Sequence, residues 1–136
     1  MASLADKKVL TLTGARAIIA AAEAEARKHD LNVTMSVVDD GGHLLHLARM
    51  DETGLASVEV SIAKARAAAM FKRPTKFWED AYASGKTHLA SLPGVLPIEG
   101  GVPLTVGGKV IGALGVSGAS SAQDGQVAVA GAAALG

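Results

Sequence analysis

The stretch from Pro97 to Gly118 constrains the fold of this chain more than any other. Gly100 and Gly101 follow a carboxylate, Glu99. Gly107-Gly108 can take the positive φ angles of a two-residue turn, and Gly112, Gly115 and Gly118 punctuate the residues beyond it. The pattern predicts strands over Leu104–Val106 and Lys109–Ser117, joined as a hairpin beside a glycine-lined cleft. A second turn signal, Asp39-Asp40-Gly41-Gly42, separates the strand-like runs Val33–Asp39 and His43–Arg49 and predicts another hairpin. On the second of these runs, period-2 alternation sets His43, Leu45, Leu47 and Arg49 on one face and Leu44, His46, Ala48 and Met50 on the other.

Helical periodicity fills the rest of the chain. Ala15, Ile18, Ile19, Ala22 and Ala26 predict a helix from a Thr13 cap to about Lys28, with Glu23 and Arg27 paired on its wet side. A second helix, capped by Ser57 and ending near Phe71, carries two apolar stripes, Val58/Ile62/Ala65/Ala69 and Val60/Ala63/Ala67/Phe71, with Lys64 inside the second. A helix that is apolar nearly all round is buried on both sides, so one stripe is expected on the chain's own sheet and the other on a neighbouring subunit. Pro74-Thr75 opens a short helix bearing Phe77, Trp78 and Tyr82, and an irregular stretch follows from Ser84 to Glu99. Ser121-Ala-Gln-Asp124 resembles a capping box opening a last helix that ends near Leu135. Hairpins joined through helices give an α/β (α+β) chain: an antiparallel sheet flanked by helices, one domain over residues 1–136.

Composition narrows the function classes. The 136 residues carry 13 basic and 13 acidic side chains with no basic block, which argues against nucleic acid as a partner. There is no cysteine, so disulfides, thiolate catalysis and cysteine zinc sites are excluded together. No apolar run reaches a membrane span and no signal peptide is recognisable, so the expectation is a cytoplasmic protein that does not bind membranes. Only 3% of residues are aromatic against 49% hydrophobic, so the interior is built from small side chains, and such a chain gains by burying a second helix face against another copy.

Several residues can carry chemistry. An ammonium at Lys64 within an alanine-rich stripe needs an anion: either an intersubunit ion pair with Glu59, Asp51 or Glu99, or a ligand, in which case desolvation makes it a nucleophile or acid. Glu99 is either a loop carboxylate or a general base beside an anion nest made by the Gly100 and Gly101 amides. Arg49 is either paired with Asp51 or Asp39 or placed to hold a ligand carboxylate. His43, His46 and His88 are candidate ligand contacts, whereas His29 at a helix end suits the dipole. The Gly115-to-Gly118 turn can bind an anion at the last helix, though it is no nucleotide fingerprint. Phe71, Phe77, Trp78 and Tyr82 read first as packing, with Phe71 the candidate platform for a planar ligand. No histidine spacing supports a metal site.

The phrases Ser36-Val-Val-Asp-Asp-Gly-Gly-His43, Ala48-Arg-Met-Asp51, Ala63-Lys-Ala-Arg66, Glu99-Gly-Gly-Val-Pro103, Gly112-Ala-Leu-Gly-Val-Ser-Gly118 and Gln123-Asp124 together resemble the GlcG/HbpS-like "haem-degrading" family, from Thr11 to Leu135. The resemblance implies a profilin-like fold, homo-oligomers from dimer to octamer and, in some members, haem as ligand. Other members are implied to be hydrolases or deaminases acting on imine intermediates of aromatic degradation. The loop Ser91-Leu-Pro-Gly-Val-Leu-Pro-Ile-Glu99 departs from the form common in haem-linked relatives, and no family phrase fixes a haem-ligating histidine here. Two functions therefore stand. One is a small-molecule-binding homo-oligomer with haem or another planar or acidic small molecule at a subunit interface near His43, His46 or His88. The other is a hydrolase of imine or enamine dicarboxylates, with Arg49 and Lys64 holding carboxylate and Glu99 directing water.

Overall fold

The computed structural model describes residues 2–135. Helix α1 (Leu12–Lys28) is capped by Thr11, whose Oγ1 accepts the Gly14 N–H at 3.0 Å; the cap lies two residues before the expected Thr13 because Thr11 is the residue held extended. Its C-terminus closes by left-handed Asp30, with the Leu31 and Asp30 amides donating to the Ala26 and Arg27 carbonyls. Strands β1 (Thr34–Asp39) and β2 (Leu44–Arg49) form the first hairpin, where Asp39 Oδ1 accepts the Gly41 and His43 amides. A bulge between Val37 and Val38 leaves Leu45 without a partner on β1 and turns it into the α1-side core, breaking the strict alternation expected for this strand.

Helix α2 (Ser57–Phe71) leads into α3 (Lys76–Ala83), a 3₁₀ turn (Thr87–Ser91) within the segment expected to be irregular, and β3 (Gly101–Val106), β4 (Lys109–Ser117) and α4 (Ser121–Ala132). β3 begins three residues earlier than its pattern suggested, running through Pro103, which an edge strand tolerates. The sheet is antiparallel in the order β2-β1-β4-β3. On one face α1 and α4 pack over a core of Ile18, Ile19, Met35, Val37, Leu114, Val116 and Val127. On the other, α2 lies alone across β1, β4 and β3.

The α2 interface is polar and tight. The face toward the sheet is Ser57, Ser61, Lys64, Ala65, Ala68 and Ala69; of the expected stripe the two alanines, Ala65 and Ala69, are buried there, while Val58 and Ile62 remain partly exposed. Ser57, expected as a cap, is the first helical residue and meets Thr34 Oγ1 at 2.7 Å; Ser61 meets Ser36 Oγ at 2.6 Å. With only small side chains between them, helix and sheet approach until a Cβ at Gly115 would overlap the Ser61 carbonyl and one at Gly101 the Lys64 carbonyl. The glycines expected to line a cleft are thus filled by the α2 backbone.

Candidate functional site

Lys64 is 1% exposed. Its Nζ donates to Asp124 Oδ2 at 3.0 Å and to the Val116 carbonyl at 2.9 Å, while Asp124 Oδ1 accepts the Ala119 amide at 2.9 Å. The partner is neither Glu59, Asp51 nor Glu99, and it lies in the same chain. The reason is the register of α4: the capping box is Ser120 with Gln123, one residue earlier than expected, which releases Asp124 to turn inward. Gly100, at φ 136°, makes room for this lysine, since a Cβ there would stand 2.7 Å from Nζ.

Glu99 is half-buried beside this pair. Its amide donates to Glu79 Oε1 at 3.1 Å, and its side chain runs against Gly125 in the second turn of α4, next to Asp124. The Gly101 amide is occupied by Thr75 Oγ1 at 2.9 Å, and the Gly101 carbonyl accepts the Thr75 amide. An anion nest at Gly100-Gly101 therefore lacks one of its two donors.

Lys64, Glu99, Gly100 and Gly101 are brought together; Arg49 is not. Arg49 is exposed on edge strand β2 opposite Thr34, in a shallow depression with Asp51 and Glu52, and pairs with no carboxylate among the described residues. Lys64 lies over β4 and β3, two to three strand spacings away, on the order of 10–14 Å. The histidines are also dispersed. His43 is exposed at the first hairpin, His46 is half-buried opposite Val37 on the α1 side, and His88 is exposed on the 3₁₀ turn that packs against α3. His29 pairs with Glu25 at 2.9 Å, and this hydrogen bond is the main reason the Glu25 carboxyl is held below its usual range. Among the described residues no cluster of three or more histidine, aspartate or glutamate side chains is arranged to hold a metal.

A second feature lies where α2 ends and α3 begins. Phe71 and Phe77 each meet the Trp78 ring edge-on with centroids 5.0 Å apart, and the Arg73 guanidinium stands 4.3 Å from the Phe77 centroid. Trp78 is buried, and its Nε1 is the single buried side-chain polar atom without a hydrogen-bond partner among the described residues. Phe77 is 46% exposed, and Gly94 passes beside the Phe71 ring. Sequence reasoning assigned Trp78 to packing and gave no role to Arg73 or to Asp124 as an interior anion. The Ser120-x-x-Gln123 box was the signal that could have freed Asp124 from the cap.

The model of the family described as haem degrading protein HbpS-like matches residues 10–133. The chain belongs to this family. Within the HbpS-like family, it is 47% identical to Protein GlcG of Escherichia coli strain K12 over 111 residues, covering 82% of this chain and 83% of that protein. A double mutant of Streptomyces reticuli HbpS superposes with a TM-score of 0.88 at 36% identity, covering 98% of this chain and 91% of the other. The structure of a PduOC–haem complex superposes with a TM-score of 0.83 at 30% identity, covering 93% and 95%. The antiparallel sheet with helices on both faces is thus the HbpS-like architecture. No helix among the described residues is long and apolar enough to cross a membrane.

Proposed function

We propose that this HbpS-like chain binds a small planar ligand of the haem class, in a homo-oligomer whose binding pocket lies where two protomers meet. The observation that carries this reading is the buried, unpartnered Trp78 Nε1 in an aromatic corner flanked by Arg73. A buried N–H without an acceptor costs on the order of 1–3 kcal/mol, so an acceptor from a ligand or a second copy is wanted there. The corner fits the needs of haem in kind: Phe71, Phe77 and Trp78 supply apolar ring surface, Arg73 a cation for propionate, and His88, on the turn packed against α3, an exposed imidazole for iron. Bound haem would supply an iron centre for ligand or redox chemistry. The protein's share is to hold the ring edge, neutralise propionate and keep water from the apolar face.

The outer flank of α2, with Val58, Val60, Ile62 and Ala63 partly exposed, gives a second copy an apolar surface to cover. The complex between PduOC and haem, and the match to the HbpS-like family, support the choice of ligand class. The hydrolase reading needs Arg49, Lys64 and Glu99 around one substrate. One protomer keeps Arg49 at the far edge of the sheet and spends Lys64 on Asp124, so that reading requires an Arg49 from another protomer.

Haemin titration followed by absorbance, with light scattering on the same sample, tests the proposal. Trp78 is the one tryptophan of the chain, so haemin in this corner quenches its emission in step with the Soret change. A saturable Soret shift lost in His88→Ala but kept in His43→Ala and His46→Ala is expected. A clean oligomer without a specific shift, or unchanged Trp78 emission on haemin binding, overturns it.

A further inference from the structure

A groove of about 1080 Å³ opens at the end of the sheet remote from the Lys64–Asp124 pair, between the extended residues 5–8 and the β3–β4 hairpin. Its floor is apolar, formed by Val106, Val110 and Ile111. Its rim carries Lys7, Lys8, Lys72 and Lys109, against the carboxylates Asp6 and Asp40. Lys7 is tied to Asp40 at 2.9 Å, whereas Lys8, Lys72 and Lys109 pair with no carboxylate among the described residues. Lys72 closes α2 in the left-handed conformation, at φ 56°, a position that glycine or asparagine fills more cheaply. A cation there does favour the helix dipole, and it also stands at the rim of an apolar-floored groove in a chain of zero formal net charge.

We infer that this groove is a binding site for an amphipathic organic anion, a carboxylate or sulfonate carried on a hydrocarbon or aromatic body. A small inorganic anion would leave the apolar floor wet, and a neutral apolar molecule would leave three ammonium groups unanswered; an anion with an apolar body satisfies both. The strap of residues 5–8 is tethered through the exposed Lys7–Asp40 pair, and exposed pairs contribute little, so the groove can widen at small cost. The inference does not rest on the haem reading, whose residues lie at the α2–α3 corner.

The probe is 8-anilino-1-naphthalenesulfonate, followed by its fluorescence. Binding is expected to be saturable and salt-sensitive, and to weaken about tenfold or more in the triple variant Lys8→Gln/Lys72→Asn/Lys109→Gln, with circular dichroism and the Trp78 emission of the ligand-free protein unchanged. Unchanged affinity in the triple variant, or equal affinity for uncharged N-phenyl-1-naphthylamine, overturns the anion site. If the triple variant unfolds, the charge reversal Lys109→Glu in the exposed hairpin turn replaces it, read against the same two outcomes.

Discussion

Lys64 Nζ and Asp124 Oδ2 stand 3.0 Å apart at a point where neither side chain is more than 3% exposed, so one ion pair joins α2 to α4 past the start of β3 and the end of β4. Each member answers the other's lost hydration, and two backbone groups, the Val116 carbonyl and the Ala119 amide, complete the set. Such a pair costs much to break singly and little to replace as a whole.

Lys64→Met or Asp124→Leu alone is expected to destabilise the fold by about 3–5 kcal/mol, because each leaves a buried charge unanswered. The double variant recovers most of that loss. Urea unfolding of the four proteins in the cycle checks it, and simple additivity of the two losses would show that the pair is not coupled.

Gly125→Ala would ordinarily favour a helix, yet here its methyl group meets the Glu99 side chain. The variant is expected to lose about 1–3 kcal/mol, and Glu99→Ala in the same chain to restore it. Failure of Glu99→Ala to rescue would remove the contact from the account.

Gly115→Ala drives a methyl group into the α2 backbone and is expected to cost at least about 1–3 kcal/mol, whereas Gly54→Ala, with open space around it, stays within about 0.5 kcal/mol of the wild type. Thermal melts of the two variants compare them directly.

Trp78→Phe keeps an aromatic ring between Phe71 and Phe77 while deleting the orphan N–H. Stability is expected to hold or rise. Haemin affinity, read from the Soret band, should fall if a ligand oxygen accepts that N–H; unchanged affinity would point to an acceptor on a second copy instead.

The Lys7–Asp40 tether has a defined pH window. Asp40 is lowered from 3.8, chiefly by the Lys7 hydrogen bond, so its contribution is present above 3.8 and lost as the pH falls through the depressed value. Lys7 is raised from 10.5 by the same bond, so its contribution is present below 10.5 and lost as the pH rises through the raised value. An NMR titration of the Asp40 side-chain carboxyl should therefore give a midpoint below 3.8, and Lys7→Ala should move that midpoint back toward 3.8.

Much of the architecture was legible because hairpin turns and helix faces are written in local patterns: Asp39 to Gly42, Gly107-Gly108, and the spacing from Ala15 to Ala26. The errors have a common physical origin. Thr11 and Ser120 cap α1 and α4 in place of the expected Thr13 and Ser121, whereas α2 begins after Ala56 without a side-chain cap because the expected cap, Ser57, faces Thr34. The α2 stripes locate only Ala65 and Ala69 of the buried face, since a helix that packs this closely also buries Ser57, Ser61 and the stem of Lys64, which hydropathy does not mark as interior. Of the site, the neighbourhood of Lys64, Glu99 and Gly100 was visible, but the partner Asp124 and the distance of Arg49 depended on strand order, which no local pattern encodes.

The two sides of the sheet will respond differently to redesign. The α1–α4 side is filled by branched side chains that can trade volume among themselves, and its residues can be exchanged in groups. The α2 side is a seam of hydroxyls, alanines and bare backbone with no room for an added methyl group at Gly101 or Gly115. Directed variation of a ligand site on this scaffold should be sought along the outer flank of α2 and the loops, where a changed side chain leaves that seam undisturbed.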